Sequence, residues 1–352
     1  LEETGGMTTA VAAQNNGAAR HLPGPVCPAC GDRLVAADAG EFACRSCPRS
    51  FAAVAGLPDL RLESDRYLSL AAERSKAERL AAVGAAPGAD VTRVAEAYYA
   101  MTDDVVDHRR DRFLRHIAGA VVRGEALAEA LPRTGLTLEI GCGTGGLLVA
   151  AARSGRGVVG VDIASRWLVV ARRRLADQGL NVPLVAADAT RLPWPDETFD
   201  AVAADSVLEH LDDPAAALRE WRRVLKPGGS LVLWSPNRFT LTTDPHLNLW
   251  GVGWLPRAWV PGYLRRRRRT DWPPRTLSAF EARALAKRCG WSKVTVEPPA
   301  IAEGWARSRS ASERRLIRAY TVARRVPGMR GLLRAVGPLW ELRAEAGRSE
   351  GA

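Results

Sequence analysis

Apolar runs of strand length alternate with longer amphipathic runs through the middle of the chain. Residues 138–140 close one apolar run on glycines, Gly157–Asp162 and residues 182–187 form two more, and residues 230–234 a further one. The first three carry an acid at or beside their carboxyl ends: Glu139, Asp162 and Asp188. Helical stretches lie between these runs, and strand–helix alternation predicts an α/β fold. Ahead of this block, residues 61–135 are rich in alanine, arginine and glutamate, with breaks at 84–88 and 132–135, and predict helices. Behind it the pattern predicts a helix over 277–289 stopped at Gly290-Trp291, a strand over 293–297, and helices over 311–326 and 330–336. The apolar/polar alternation of residues 338–344 predicts a last strand.

The chemistry concentrates at the first glycine turn, Leu138-Glu139-Ile140-Gly141-Cys142-Gly143-Thr144-Gly145-Gly146. Gly141, Gly143 and Gly146 satisfy the dinucleotide fingerprint, in which glycines let the backbone approach a pyrophosphate at a helix N-terminus. Glu139 changes that picture, because a carboxylate beside the turn repels a pyrophosphate but suits the ammonium of an amino-acid moiety. S-adenosylmethionine carries such an ammonium. Asp162 stands where a carboxylate can bind two ribose hydroxyls, and Asp188 ends the third strand. Three acid-ended strands favour this methyl donor; the alternative is a Rossmann-like domain for another nucleotide. Cys142, inside the turn, is expected to be a small packing residue.

These motifs, with Val161-Asp162, Ala187-Asp188-Ala189, Asp205-Ser206-Val207-Leu208-Glu209-His210 and Val224-Leu225-Lys226-Pro227-Gly228-Gly229, resemble the class I S-adenosylmethionine-dependent methyltransferases over about residues 120 to 300. The resemblance implies a Rossmann-like seven-stranded methyltransferase sheet. It further implies that Gly141 and Gly143, beside Glu139 with its suitability for the ammonium, hold the methionine part, that Asp162 takes the ribose diol, and that Asp188 and Ala189 read the adenine. Ile163 and Asp205 are counted with these cofactor contacts. The Leu-Glu-His triplet at 208–210 looks like the small-molecule branch, whereas enzymes acting on base amino groups or glutamine amides typically carry an Asn/Asp-Pro-Pro-aromatic motif there. The expected acceptor is small or glycan-like, methylated on oxygen. A hydroxyl acceptor needs a base, and His210 and His246 are the candidates, since histidine titrates near neutral pH. The triplet serving only to shape the pocket is the alternative.

Cys27-Pro28-Ala29-Cys30 and Cys44-Arg45-Ser46-Cys47 are paired C-x-x-C knuckles able to place Cys27, Cys30, Cys44 and Cys47 around a structural Zn2+. A redox dithiol or disulfides are the alternatives. A closed four-thiolate shell leaves no position for catalysis. With residues 51–60, this segment resembles the small zinc ribbons that activate methyltransferases and the N-terminal ribbon of certain ribosomal-RNA guanine methyltransferases. Pro48 departs from the glycine usual there.

Composition adds less. The 352 residues are 47% apolar, enough for a core, and carry a net charge of +11. Most of the positive charge is arginine, which invites an anionic partner, although genomic base composition gives the same bias. Residues 238–276 form a long aromatic and proline-rich insertion of the kind that acts as a lid, and residues 265–269 are all arginine. That run is either a solvated, disordered loop or a contact for phosphate, an anionic membrane or RNA. Tyr98 and Tyr99 are either pocket residues or packing aromatics. No apolar run has membrane-spanning length and no signal-peptide pattern opens the chain, so the expectation is a cytoplasmic protein with peripheral membrane contact as an added option.

The expected organisation is a flexible N-terminus carrying an expression remnant (1–24), zinc ribbon (25–60), helical linker or cap (61–118), methyltransferase core (119–237), aromatic lid (238–276), core helix and strand six (277–300), basic helical insertion (301–336), strand seven (337–346) and tail (347–352). The expected partner is a small-molecule or glycan-like substrate. Nucleic acid comes second, through an RNA methyltransferase whose ribbon and basic surface grip phosphates. A non-catalytic activating protein comes third, and the sequence assigns no oligomeric state.

Overall fold

The computed structural model describes residues 22–37, 41–64, 68–102, 107–244, 246–247, 249–268, 275–307 and 310–347. Most of the expected N-terminal and C-terminal tails, and Trp272 and Arg269 of the aromatic insertion, lie outside the described residues. The chain divides into two compact units, Leu1–Val202 with Arg223–Lys226, and Ala203–Arg222 with Pro227–Ala352.

The first unit opens with the cysteine module. Strands β1 (Leu34–Ala36) and β2 (Phe42–Cys44) form an antiparallel hairpin between the knuckles, and β3 (Ser50–Phe51) pairs with β2. A second hairpin joins β4 (Ala53–Val54) to β5 (Leu57–Pro58). Its two turn residues, Ala55 and Gly56, have φ of 50° and 72°, the handedness that matches the strand twist. Helices α1 (Leu70–Ala85), α2 (Val91–Ala100), α3 (Asp107–Ala118) and α4 (Ala120–Glu129) follow. The side chains of Ser69 and Asp90 cap α1 and α2 by accepting from the amides of Ala72 and Arg93. The remaining elements of this unit are β6 (Leu136–Ile140), α5 (Gly146–Arg153), β7 (Gly157–Asp162), α6 (Ser165–Ala176), β8 (Leu184–Ala186) and the start of β9 (Phe199–Asp205).

All five residues of β6 are buried, and β6, β7 and β8 pair in parallel register, Leu138 opposite Val159 and Asp162 opposite Ala186. Near-continuous apolar strands are the mark of a parallel sheet covered on both faces. Parallel pairing also brings the carboxyl ends of β6 and β7 to one edge. The acids of the sequence pattern therefore share that edge, where open α/β sheets bind ligands.

The second unit contains α7 (Pro214–Arg223, whose last residue belongs to the first unit), most of β10 (Leu225–Pro236), α8 (Val260–Arg268), α9 (Ala279–Arg288), β11 (Trp291–Glu297), α10 (Glu303–Arg307), α11 (Ala311–Arg325), α12 (Pro327–Val336) and β12 (Leu339–Ala346). Strand β12 runs antiparallel to both β10 and β11, with a register shift between Ser292 and Thr295. Among the described residues the central sheet has seven strands in the order β11-β12-β10-β9-β6-β7-β8. This is the α/β, Rossmann-like seven-stranded sheet implied by the motif resemblance, with its last strand inserted between the fifth and sixth.

Several boundaries differ from the sequence expectation. The helix expected from residue 277 starts at Ala279, because Ser278 is its cap: Ser278 Oγ accepts from the Glu281 amide and Glu281 Oε2 accepts from the Ser278 amide. The helix expected from residue 330 begins at Pro327, where proline suits the first helical turn. The arginine run is helical through Arg268 in α8, anchored by the fully buried Leu264, rather than a disordered loop. Among the described residues no helix is long and apolar enough to cross a membrane.

Candidate active site

The glycine turn at the end of β6 is built by conformations that side chains resist. Gly141, Gly143 and Gly145 have φ of 66°, 49° and 75°, and the left-handed Gly145 starts α5. The turn is tied to the next strand, since Cys142 N donates to Val161 O at 3.0 Å and Gly143 N donates to Asp162 Oδ2 at 2.8 Å. The other carboxylate oxygen of Asp162 accepts from Ala164 N at 2.8 Å. Burial raises the Asp162 carboxyl above its ordinary value, opposed by these two amide donors. Each oxygen keeps a second lone-pair direction for a hydroxyl donor.

Glu139 is buried on β6 opposite Gly160 of β7, and Cys142 packs over Gly160, where an added Cβ would lie 3.0 Å from Sγ. Burial, then the charges of Asp162 and Glu139, push the Cys142 thiol well up, which makes it an inert packing group. Asp188 follows β8, with Oδ1 fixed by the amide and hydroxyl of Thr190, both at 2.7 Å. Ile163 stands between Asp162 and Ala164, and Ala189 between Asp188 and Thr190. The first unit thus brings Glu139, Gly141, Gly143, Asp162, Ile163, Asp188 and Ala189 to the carboxyl ends of three adjacent strands. Asp205 ends β9 in the second unit, with its carboxylate accepting from Ser206 Oγ at 3.0 Å.

Other residues of this site were not singled out from the sequence. Arg174 of α6 donates to the carbonyls of Thr144 and Ile117, both at 2.7 Å, and so braces the glycine turn. Burial, with Arg123 nearby, lowers its pKa to about 10. The chain leaving the cysteine module lies along β8: Leu60 N donates to Ala186 O at 2.8 Å, and Asp59 pairs in parallel with Ala186. Arg61, buried and forked onto Asp59 with both bonds at 2.7 Å, donates to Ile163 O at 2.8 Å. A concavity beside Asp188 and Thr190 is walled by Pro28, Leu60, Leu62 and Glu63. No motif advertises these contacts, since the partners lie far apart in sequence.

The four knuckle sulfurs converge, with ligand atoms all within 4.8 Å of one another. Cys27 Sγ lies 3.7 Å from Cys47 Sγ, and Cys30 Sγ lies 3.4 Å from Cys44 Sγ. A tetrahedral Zn2+ with Zn–S bonds of about 2.3 Å spaces its sulfurs by about 3.8 Å, so the cluster fits a closed zinc shell. The Ser46 amide leads the causes that lower Cys44 to about 7.

In the second unit, a turn at Leu208–His210 places Glu209 and His210. Glu209 is 1% exposed, with Oε2 accepting from Ser235 Oγ at 2.9 Å and Oε1 lying 3.1 Å from His246 Nε2. The rings of His210 and His246 meet edge to face with centroids 4.7 Å apart. Asp244 Oδ1 accepts from the amides of His246 and Leu247 and fixes the segment that carries His246. The two histidines singled out in the sequence are therefore neighbours, and His246 also meets the buried carboxylate that the Leu-Glu-His triplet contains. Tyr98 and Tyr99 pack instead: Tyr99 is buried with Ala95 and Ile117, and Tyr98 lies on Trp167.

A family model described as a methyltransferase domain matches residues 138–233. The chain is 41% identical over 113 residues to an uncharacterized protein from a transposon of Streptomyces fradiae, covering 30% of this chain and 32% of that protein. It is 39% identical over 136 residues to a ubiquinone biosynthesis O-methyltransferase of Cereibacter sphaeroides, covering 38% and 54%. It is 33% identical over 211 residues to a demethylmenaquinone methyltransferase of Streptomyces griseus, covering 56% and 83%. The chain spans about a third and about half of the first two relatives and most of the third. It belongs to the class I S-adenosylmethionine-dependent methyltransferases.

Proposed function

We propose that the protein transfers the methyl group of S-adenosylmethionine to a hydroxyl oxygen of a small molecule, of phenol or quinol type. The observation that carries this reading is the buried Glu209 hydrogen-bonded to His246, because a carboxylate that orients an imidazole equips it to take a proton. The similarity to quinone methyltransferases supports a ring-bearing acceptor. In this reading Glu139 binds the ammonium, Gly141 and Gly143 let the backbone approach the methionine part, Asp162 accepts from both ribose hydroxyls, and Asp188 and Ala189 meet the adenine. Ile163 and Asp205 complete the cofactor contacts. Cys27, Cys30, Cys44 and Cys47 hold a structural zinc, whose chemistry ends with folding the module.

The donor supplies a methyl on a positively charged sulfur, so displacement needs alignment rather than acid catalysis. His246 removes the acceptor proton, His210 borders it, and Glu209 steadies the imidazolium that forms. The test is to incubate the protein with donor labelled in its methyl group and fractionated extract, then with phenolic acceptors. Label should enter the small-molecule fraction; label confined to RNA, with binding that collapses as salt rises, overturns the reading. His246→Ala should lower kcat by about 100-fold, the lower end expected for a general base, and leave donor affinity unchanged. Normal turnover by this variant removes His246 as base.

A further inference from the structure

Glu209, His210 and His246 each offer a ligand-capable atom, and these atoms lie within 4.8 Å of one another. Two imidazoles and one carboxylate form a donor set for borderline first-row cations, whereas Ca2+ and Mg2+ prefer oxygen ligands. A tetrahedral ion with bonds of about 2.0–2.2 Å holds its ligand atoms about 3.4 Å apart. The 3.1 Å separation of Glu209 Oε1 and His246 Nε2 is close to that spacing. Ser235 Oγ on the second oxygen of Glu209 fixes the carboxylate, as outer partners of metal ligands do. The His246 side chain is 26% exposed while that of Glu209 is fully buried, so one side of the cluster is anchored and the other open.

We propose that Glu209, His210 and His246 form a divalent-metal site of the two-histidine, one-carboxylate type, distinct from the cysteine cluster, which takes Zn2+, Co2+ or Mn2+ and presents an open position to the acceptor hydroxyl. With the metal in place, His246 is a ligand in place of the base role given above, and the cation takes over activation of the acceptor; the two roles are alternatives for His246, and the hydroxyl acceptor is common to both. The acceptor O–H bond breaks heterolytically and its proton passes to water. The metal-bound oxygen keeps the electron pair and attacks the methyl carbon, and the C–S pair returns to sulfur, which becomes neutral. This reaction step rests on the hydroxyl-acceptor reading above; the metal site itself does not.

The full chain, stripped by a chelator and reloaded with one equivalent of Zn2+ to fill the four-cysteine cluster, is titrated with Co2+ and followed by visible absorption and metal analysis. A second equivalent should bind with a spectrum lacking thiolate-to-cobalt charge transfer. His210→Ala, His246→Ala and Glu209→Gln should each weaken it by at least about tenfold, with donor affinity, measured separately by calorimetry, unchanged. No second equivalent, or a second equivalent that survives both histidine substitutions, overturns the site and leaves a hydrogen-bonded pair. Cobalt bound as described, without transfer to any hydroxylated acceptor, upholds the site and removes the hydroxyl-acceptor reading alone.

Discussion

At the residue scale, Asp162 shows how a motif acid acquires its properties from its surroundings. Its carboxylate accepts from two backbone amides, yet burial keeps its pKa raised. A folded-state pKa above the unfolded value means that ionising Asp162 costs stability as pH rises through it. If Asp162 takes the ribose diol, as proposed, donor affinity runs the other way, because a protonated carboxyl has lost acceptor capacity for the hydroxyls. Calorimetric donor affinity should therefore fall on acidification from neutral pH, starting above the range of an ordinary aspartate, and Asp162→Ala should flatten that profile while lowering affinity about 10- to 100-fold. A profile identical in both proteins would assign the titration elsewhere. The acids at Glu139, Asp162 and Asp188 were legible because each ends a strand or flanks a glycine turn. Glu209 is legible as part of the triplet after the fourth strand, but its contacts are not: its partners Ser235 and His246 lie 26 and 37 residues away, on segments whose meeting no periodicity announces.

At the element scale, the glycine turn depends on a helix that the sequence left undistinguished. Helices α4 and α5 pack backbone to backbone: a Cβ on Gly124 would lie 2.7 Å from Leu147 Cα, and one on Gly146 would lie 2.5 Å from Ala120 O. Gly146 was readable from the fingerprint, but Gly124 sits in an alanine-rich helix where glycine weakens the helix and signals nothing by itself. Gly124→Ala improves helix propensity and still should destabilise the protein by about 1–3 kcal/mol, because the added methyl meets backbone that cannot turn away. Denaturant unfolding checks this, and a stabilised variant would show that the two helices separate freely. The capping box of α9 makes the opposite case, a local device readable as Ser-x-x-Glu that sets the helix start at Ala279 rather than at residue 277. Ser278→Ala should cost about 1 kcal/mol in the same measurement. Local signals thus mark the strands, most helices and this cap, while the close packing of α4 on α5 waits on tertiary structure.

At the scale of the whole molecule, the positive charge of the composition is partly internal. Arg61, Arg166 and Arg174 are buried, their guanidinium groups spent on Asp59, on Glu73 and on main-chain carbonyls rather than offered to an anionic partner. Two of these arginines tie pieces added ahead of the core to the segment that leaves β7, Arg166 on α6 and Arg61 through Ile163. Arg166 receives Glu73 of α1, and Arg61 joins the end of the cysteine module to the carbonyl of Ile163, the residue after Asp162. The module and the β7–β8 side of the sheet therefore belong to one packed unit, in which Leu60 pairs with the end of β8 immediately ahead of Ala187 and Asp188. A segment this small lacks the apolar area to hold its shape alone, so a zinc ion on the four cysteines, as proposed, would supply much of its folding free energy. Removing the metal should loosen residues 59–63 and, through them, the loops that carry Asp162 and Asp188. Treatment of the full chain with a thiol-competitive chelator should weaken donor binding several-fold in calorimetry before the central sheet unfolds by circular dichroism, and Zn2+ should restore it. Donor affinity indifferent to the chelator, with zinc loss verified by metal analysis, would mean that the module only rests on the sheet. Arg61→Met separates the two routes, because it keeps the metal and breaks only the tie to Ile163. It should reproduce part of the loss of donor affinity without releasing zinc.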